Sequence, residues 1–100
     1  MESLADGFTV RSHGTTKIYY KQFTLTLVPA NSEQILTIVT SFDLKPFMTV
    51  DVLIASEWFV VTKKVVDDVN NTIKVTFKNT HLESALNVLP RIIVTELYMI

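Results

Sequence analysis

The last ten residues of the chain, 91–100, constrain its fold most, because they have the pattern of a β-strand that runs to the C-terminus. The segment, RIIVTELYMI, is dominated by β-branched and apolar residues, which favour strands. An apolar strand left unpaired at a chain end would promote aggregation, so we expect it to be docked in a sheet. The sequence therefore predicts a β-fold that is completed by its last residue, with no tail left for targeting or chemistry.

Short alternating segments separated by polar turns continue through the rest of the chain and predict about seven antiparallel strands. One hundred residues suffice for one core but not for two. We therefore expect a single all-β domain over residues 1–100, a β-sandwich or small barrel, with a loose N-terminal lead-in over residues 1–7. The predicted strands cover residues 8–13, 17–28, 34–42, 48–55, 58–66, 72–79 and 91–99.

Two of these segments carry specific expectations about side-chain placement. Residues 17–28 are long for one strand, which predicts a bend or bulge near Lys21. Beyond that point, alternation places Phe23, Leu25 and Leu27 on one face. Residues 34–42, like 91–99, are apolar on both faces, so each is expected to be central in a sheet or to lie at a subunit contact.

The segment 58–79 predicts a hairpin. Its turn, residues 67–71, is rich in Asp and Asn, which tolerate the left-handed region and bond their own backbone. In the second strand, Ile73, Val75 and Phe77 should face inward. Lysines are expected to gather on the outer face, where they would protect against edge-to-edge pairing; they are Lys63, Lys64, Lys74 and Lys78.

Residues 80–89 are the only stretch with helical character. Thr80 is a candidate N-cap, Glu83 follows three residues later, and leucines recur near one face. Pro90 would end such an element. We expect a single helical turn or an ordered loop here, before the final strand.

Composition excludes several functional classes. The net charge of −1 offers no electrostatic basis for binding nucleic acid, and no apolar run is long enough to insert in a membrane. The chain has no cysteine, which excludes disulfides, thiol catalysis and thiolate metal sites. Its N-terminus lacks the pattern of a secretion signal, so we expect synthesis in the cytoplasm without secretion. A hydrophobic content of 48% is high for a small domain and favours self-association.

Residues that could support catalysis or bind a metal are present without the spacing that such sites need. His13 and His81 lie far apart, and no serine has the glycines of a nucleophile elbow. The Asp and Asn residues at 67–71 lack the spacing, central glycine and bidentate glutamate of an EF-hand. We expect a protein that is not an enzyme and has no catalytic residue, metal or cofactor.

Adjacent aromatic residues are the best candidates for contact with a partner. Tyr19 and Tyr20 are neighbours in a predicted strand, as are Trp58 and Phe59, so one member of each pair should face outward. An outward ring can anchor a protein partner or stack on a sugar. The candidate contact residues are Tyr19, Tyr20, Trp58, Phe59 and Tyr98, and a sugar groove would draw polar groups from Asn70 and Asn71.

The C-terminal third pairs an I-x-V-x-F-x-N segment at residues 73–79 with an I-x-V-x-x-x-Y segment at 92–98. This pair of sequence patterns resembles the closing hairpin of small β-sandwich domains in receptor-binding and tail-associated virion proteins of tailed phages. The resemblance implies a virion or accessory structural protein, often oligomeric, on a scaffold that is also used for host-surface or sugar binding. It carries over no functional residue.

Two functional hypotheses follow from these observations. The first is a non-enzymatic phage structural or accessory protein that acts by assembly, as a homo-oligomer or with other virion proteins. The alternative is a module that binds carbohydrate or another part of the host cell surface. A small hydrolase or metal protein is the disfavoured third possibility.

Overall fold

A computed structural model describes residues 7–97 of the chain, and all regular secondary structure in that range is β-strand. This confirms the all-β prediction, whereas the predicted lead-in lies, apart from Gly7, outside the described residues. Nine strands form in place of the seven expected. They are β1 Thr9–His13, β2 Thr16–Gln22, β3 Leu25–Val28, β4 Glu33–Val39, β5 Thr49–Leu53, β6 Phe59–Asp67, β7 Thr72–Asn79, β8 Leu86–Val88 and β9 Arg91–Leu97.

The strands form three antiparallel sheets in a sandwich-like arrangement. One sheet has four strands in the order β1-β2-β9-β5, another has three in the order β4-β7-β6, and β3 pairs with β8. β9 lies between β2 and β5, so the prediction that the C-terminal strand is docked centrally is confirmed as far as Leu97. The expected pairing of 72–79 with 91–98 as a closing hairpin is wrong, because β7 and β9 belong to different sheets.

The predicted strand 17–28 divides into β2 and β3. Across the division the backbone N–H of Phe23 donates to the carbonyl of Pro90 (2.8 Å), which keeps this chain beside the segment that joins β8 to β9. The prediction that Leu27 shares a face with Leu25 is wrong, because Leu27 has a φ of 49° and is 65% exposed, while Leu25 and Val28 are both buried. An irregular register between Leu25 and Val28 explains the change, because a bulge interrupts alternation.

Residues 80–89 contain the strand β8 and no helical turn. Thr80 does not cap a helix, because its hydroxyl donates to the carbonyl of Trp58 (2.7 Å). The backbone N–H groups of Glu83 and Ser84 both donate to Nδ1 of His81 (3.1 Å each), which holds this stretch as a loop. The capping pattern was therefore misleading, since Thr80 binds a distant carbonyl and His81 accepts the N–H groups that a helix start would leave free.

The predicted hairpin is confirmed as β6 and β7. Asp67 pairs with Thr72 at the turn, and Asn71 takes a left-handed φ of 52°. Its second strand alternates as predicted, with buried residues facing the core. Lys64 does not join the other lysines on the outer face. A bulge at Thr62 precedes it, Lys64 stands opposite the buried Val75, and its ammonium group donates to a backbone carbonyl on β5.

The core is formed by inward-facing residues of all three sheets. β7 and β9, the central strands of the two larger sheets, contribute its fully enclosed centre. Tyr19 extends the core on the β2 side by stacking on Phe42, with ring centroids 3.7 Å apart and planes at 11°. The completely enclosed apolar side chains are Phe8, Val28, Ile73, Val75, Phe77, Ile92 and Val94.

Three buried polar residues have identified partners. Asn79 donates from Nδ2 to the carbonyls of Val28 and Ser84, at 2.9 Å each, and accepts the backbone N–H of His81. Glu96 accepts a hydrogen bond from the ammonium group of Lys45 at 2.8 Å. The hydroxyl of Thr40 donates to the carbonyl of Phe42 at 2.7 Å. These contacts satisfy groups whose burial would otherwise be destabilising.

Candidate functional site

Each predicted aromatic pair divides between core and surface, as alternation requires. Tyr19 and Phe59 are buried, so both belong to the core and are not available as contacts. Tyr20 is half-buried on the outer face of the four-stranded sheet, and Trp58 is 42% exposed. Tyr98 lies outside the described residues. Of the four candidate contact residues that the structure describes, Tyr20 and Trp58 present aromatic surface.

The structure does not bring the predicted sugar-binding residues into one groove. Trp58 precedes β6, at the end of the hairpin where Phe59 pairs with Asn79. Asn70 and Asn71 lie in the turn at the opposite end of the same hairpin. Tyr20 lies on a different sheet. A site that combines these four residues is therefore absent, because the length of the hairpin separates them.

The polar residues of the hairpin turn have structural partners. Asp67 accepts the backbone N–H groups of Val69 and Asn70 at 3.1 Å each and the side-chain amide of Asn70 at 2.8 Å. These hydrogen bonds, chiefly those from Asn70, hold the pKa of Asp67 below its usual value. Asn71 accepts the backbone N–H of Leu44 through its side chain. Within residues 7–97, no three His, Asp or Glu side chains cluster as a metal site would require.

Trp58 is fixed by its surroundings. Its ring meets the ring of His81 edge to face, with centroids 4.6 Å apart, and its carbonyl accepts both the backbone N–H and the hydroxyl of Thr80 at 2.7 Å. His81 in turn accepts the N–H groups of the following loop. Trp58 is thus an exposed aromatic group held by contacts with Thr80 and His81 at one end of the β6–β7 hairpin.

A shallow depression of ≈ 400 Å³ lies on the outer face of the four-stranded sheet. Its lining combines two arginines with an apolar floor and includes Tyr20. No local sequence pattern indicates this site, since Arg11 and Arg91 are far apart in the chain. They share a surface because β2 lies between β1 and β9. The depression is lined by Arg11, Ile18, Tyr20, Arg91 and Ile93.

A second surface lies on the three-stranded sheet, at the edge formed by β4. The prediction that residues 34–42 form a central strand is wrong, since β4 has β7 on one side and no paired strand of residues 7–97 on the other. Ile35 and Val39, which share its outer face, are 58% and 66% exposed. The subunit contact proposed for this segment stays a prediction.

No family model, curated protein or solved structure matches the chain. Inferences about function therefore rest on the geometry of the depression on the four-stranded sheet and of the β4 edge. In addition, none of residues 7–97 forms a helix of the length and apolar character needed to cross a membrane.

Proposed function

We propose that the chain is a non-enzymatic assembly module whose β4 edge pairs with the β4 edge of a second copy. The observation that carries this proposal is the composition of β4, EQILTIV, a seven-residue edge strand of high β-propensity. Its one charge, Glu33, stands at the first position. It contains no lysine or proline, and its register with β7 is unbroken. An edge of this kind is a template for pairing with another chain.

The other three edges of the two larger sheets carry features that discourage pairing. β6 has Lys63 and Lys64 and a bulge between Val61 and Lys63. β1 and β5 are only five residues long, and each contains a charged residue, Arg11 in β1 and Asp51 in β5. Short strands, lysines and bulges are the usual means by which edges avoid association. Among the four edges of the two larger sheets, β4 is therefore the one best suited to pair with another chain.

Self-pairing of β4 is compatible with its charge and side chains. An antiparallel pair centred on Leu36 would place Glu33 opposite Val39, so that like charges do not meet. The exposed Ile35 and Val39 of both copies would then lie on one continuous face and cover one another's apolar surface. Two three-stranded sheets joined in this way would form one sheet of about six strands, a typical sheet size.

Light scattering after size-exclusion chromatography, at several concentrations, tests this proposal. We expect a fixed multiple of 11.4 kDa for the wild type. Ile35→Lys and Val39→Lys should reduce the mass to that of a monomer. Val60→Lys is the matched control, because Val60 is exposed on the outer face of the same sheet, on the lysine-bearing edge. A wild type that is monomeric at every concentration, or β4 variants that keep the wild-type mass, would contradict the proposal.

We further propose that this assembly belongs to a tailed-phage virion, or to an accessory structural protein, with other virion proteins as further partners. The support is the resemblance in sequence pattern alone of residues 73–79 and 92–98 to phage β-sandwich domains, since the two segments do not pair as a hairpin. The exposed Trp58 is the candidate contact for such a partner. Mass spectrometry of purified particles from a phage that encodes this sequence should detect the chain. Its absence from intact particles would restrict the proposal to an accessory role.

A further inference from the structure

The depression on the outer face of the four-stranded sheet has the chemistry of a binding site and is separate from the β4 edge. Its floor is apolar, formed by Ile18, Ile93 and the ring of Tyr20, and an arginine lies at each end. These side chains share a face, because strand register sets Ile18 beside Arg11, Tyr20 beside Ile93, and Gln22 beside Arg91. The site thus exists only in the folded chain.

The two arginines are too far apart to bind one small anion together. Arg11 on β1 and Arg91 on β9 are two strands apart, which is about 10 Å across the sheet. Arg11 pairs with Ile18 of β2, and Arg91 pairs with Gln22, four residues further along that strand. This offset adds about 13 Å along the strands. A ligand that contacts both arginines must therefore be extended and must carry more than one negative group.

Both guanidinium groups are available for such a ligand. Within residues 7–97, neither forms an ion pair with a carboxylate. Nε of Arg11 donates to the hydroxyl of Tyr20 at 3.2 Å, which orients the group at the rim of the depression while its terminal nitrogens stay available. On β5, Asp51 pairs with Ile93 on the side of β9 that faces away from β1. Its carboxylate would repel an anionic ligand, so it limits the site on that side.

We propose that this face binds an acidic polysaccharide. Carboxylates on separate sugar units would bind Arg11 and Arg91, and the ring between them would lie over Tyr20, Ile18 and Ile93. Arginine presents a planar donor fork that matches a carboxylate. The half-buried ring of Tyr20, with its polar hydroxyl, suits a sugar surface that has both apolar and polar groups. An extended acidic peptide fits less well, because the middle of a sheet face offers no free backbone groups for it to pair with.

Isothermal titration calorimetry with a short oligogalacturonate tests this inference. The matched ligand is the same oligosaccharide with its carboxyl groups converted to methyl esters, which retains the rings and removes the charge. We expect saturable binding of the acid, no detectable binding of the ester, and weakening with added salt. Equal binding of acid and ester, or no binding of either, would overturn the proposal.

Protein variants and a second polyanion complete the experiment. Arg11→Gln and Arg91→Gln should each weaken binding by about tenfold or more, as loss of a charge-assisted contact implies. Lys74→Gln, on the outer face of the other sheet, should bind as the wild type does. Unchanged binding by both arginine variants would contradict the assignment. Oligoglutamate that binds as tightly as oligogalacturonate would also contradict it, in favour of an acidic peptide.

Discussion

The side-chain amide of Asn79 donates to the carbonyl of Val28 at 2.9 Å, across 51 positions of sequence. The contact joins β7 of the three-stranded sheet to β3 of the two-stranded sheet. The same amide also donates to Ser84, and its oxygen accepts from His81, so one enclosed side chain organises the loop that leads into β8. Asn79 is therefore a main polar link between two sheets.

Replacing Asn79 should be among the more destabilising polar substitutions in the chain. Asn79→Ala would leave two carbonyls and one N–H group without their partner inside the protein, and we expect a loss of about 3 kcal/mol in the free energy of unfolding. Urea unfolding monitored by Trp58 fluorescence measures this. Asn87→Ala is the matched control, because Asn87 is exposed and makes a single hydrogen bond to Leu27; we expect a loss of about 1 kcal/mol or less. Equal losses would contradict the role given to Asn79.

Tyr19 and Tyr20 should respond very differently to truncation, although they are neighbours in β2. Tyr19 is buried and stacked on Phe42, so Tyr19→Ala should cost about 3–5 kcal/mol of stability. Tyr20 lies on the outer face, so Tyr20→Ala should cost about 1.5 kcal/mol or less. Urea unfolding of the two variants beside the wild type checks the difference. Similar losses would mean that the register of β2 is not the one described.

Much of the fold could be predicted from the alternation of apolar and polar residues in the sequence. Alternation identified the strands and the inward face of β7, because a strand that is buried on one side must alternate. It also predicted correctly that each aromatic pair has one ring in the core and one at the surface. It failed where long-range contacts decide local structure. Leu27 faces outward because the β3–β8 register is irregular. Residues 80–89 form no helical turn because the hydroxyl of Thr80, the expected cap, donates to the carbonyl of Trp58, 22 positions away.

The candidate sites were harder to predict than the fold. Tyr20 was identified from the sequence, but Arg11 and Arg91 were not, because only the order β1-β2-β9 brings them to one face. The apolar character of residues 34–42 was recognised, yet the pattern could not distinguish a buried central strand from an unpaired edge. Both look alike in sequence, since each has apolar residues on two faces.

The ion pair between Lys45 and Glu96 should make stability depend on pH in the alkaline range. The hydrogen bond to the buried Glu96 carboxylate is the main reason that the pKa of Lys45 lies above its usual value. A raised pKa in the folded state stabilises the protein below the unfolded value, about 10.4, and this contribution disappears as pH rises through the folded value. Lys45→Gln should therefore be less stable than the wild type at pH 8, and the difference should shrink as the pH rises above the unfolded pKa and through the folded one.

Urea midpoints measured between neutral and alkaline pH check this dependence. Lys63→Gln is the control, because Lys63 is an exposed lysine of β6 that forms no ion pair with residues 7–97. Its midpoint should follow that of the wild type at every pH. If Lys45→Gln and Lys63→Gln have the same pH profile, the pair with Glu96 does not stabilise the fold.

Asp67 should produce the opposite dependence, in acid. Hydrogen bonds from Asn70 and Val69 lower its pKa, so its contribution is fully present above the unfolded value, about 3.9, and is lost as pH falls through the folded value. Asp67→Ala should be less stable than the wild type at pH 6, and the difference should shrink as the pH falls below the unfolded pKa and through the folded one. Asp68→Ala, at the next position of the turn, is the control. A constant difference between Asp67→Ala and the wild type would exclude a role for the carboxylate charge.

Leu27 offers a substitution that should stabilise the protein. Its φ of 49° is unfavourable for leucine, and its side chain is 65% exposed, so little packing would be lost. Asparagine tolerates this backbone conformation, and we expect Leu27→Asn to raise the free energy of unfolding by about 0.5–1 kcal/mol. Leu89→Asn is the matched control, because Leu89 is also exposed but is not among the residues with positive φ. Urea unfolding should show a gain for Leu27→Asn alone. A loss at both positions would mean that the Leu27 side chain contributes packing that outweighs its backbone conformation.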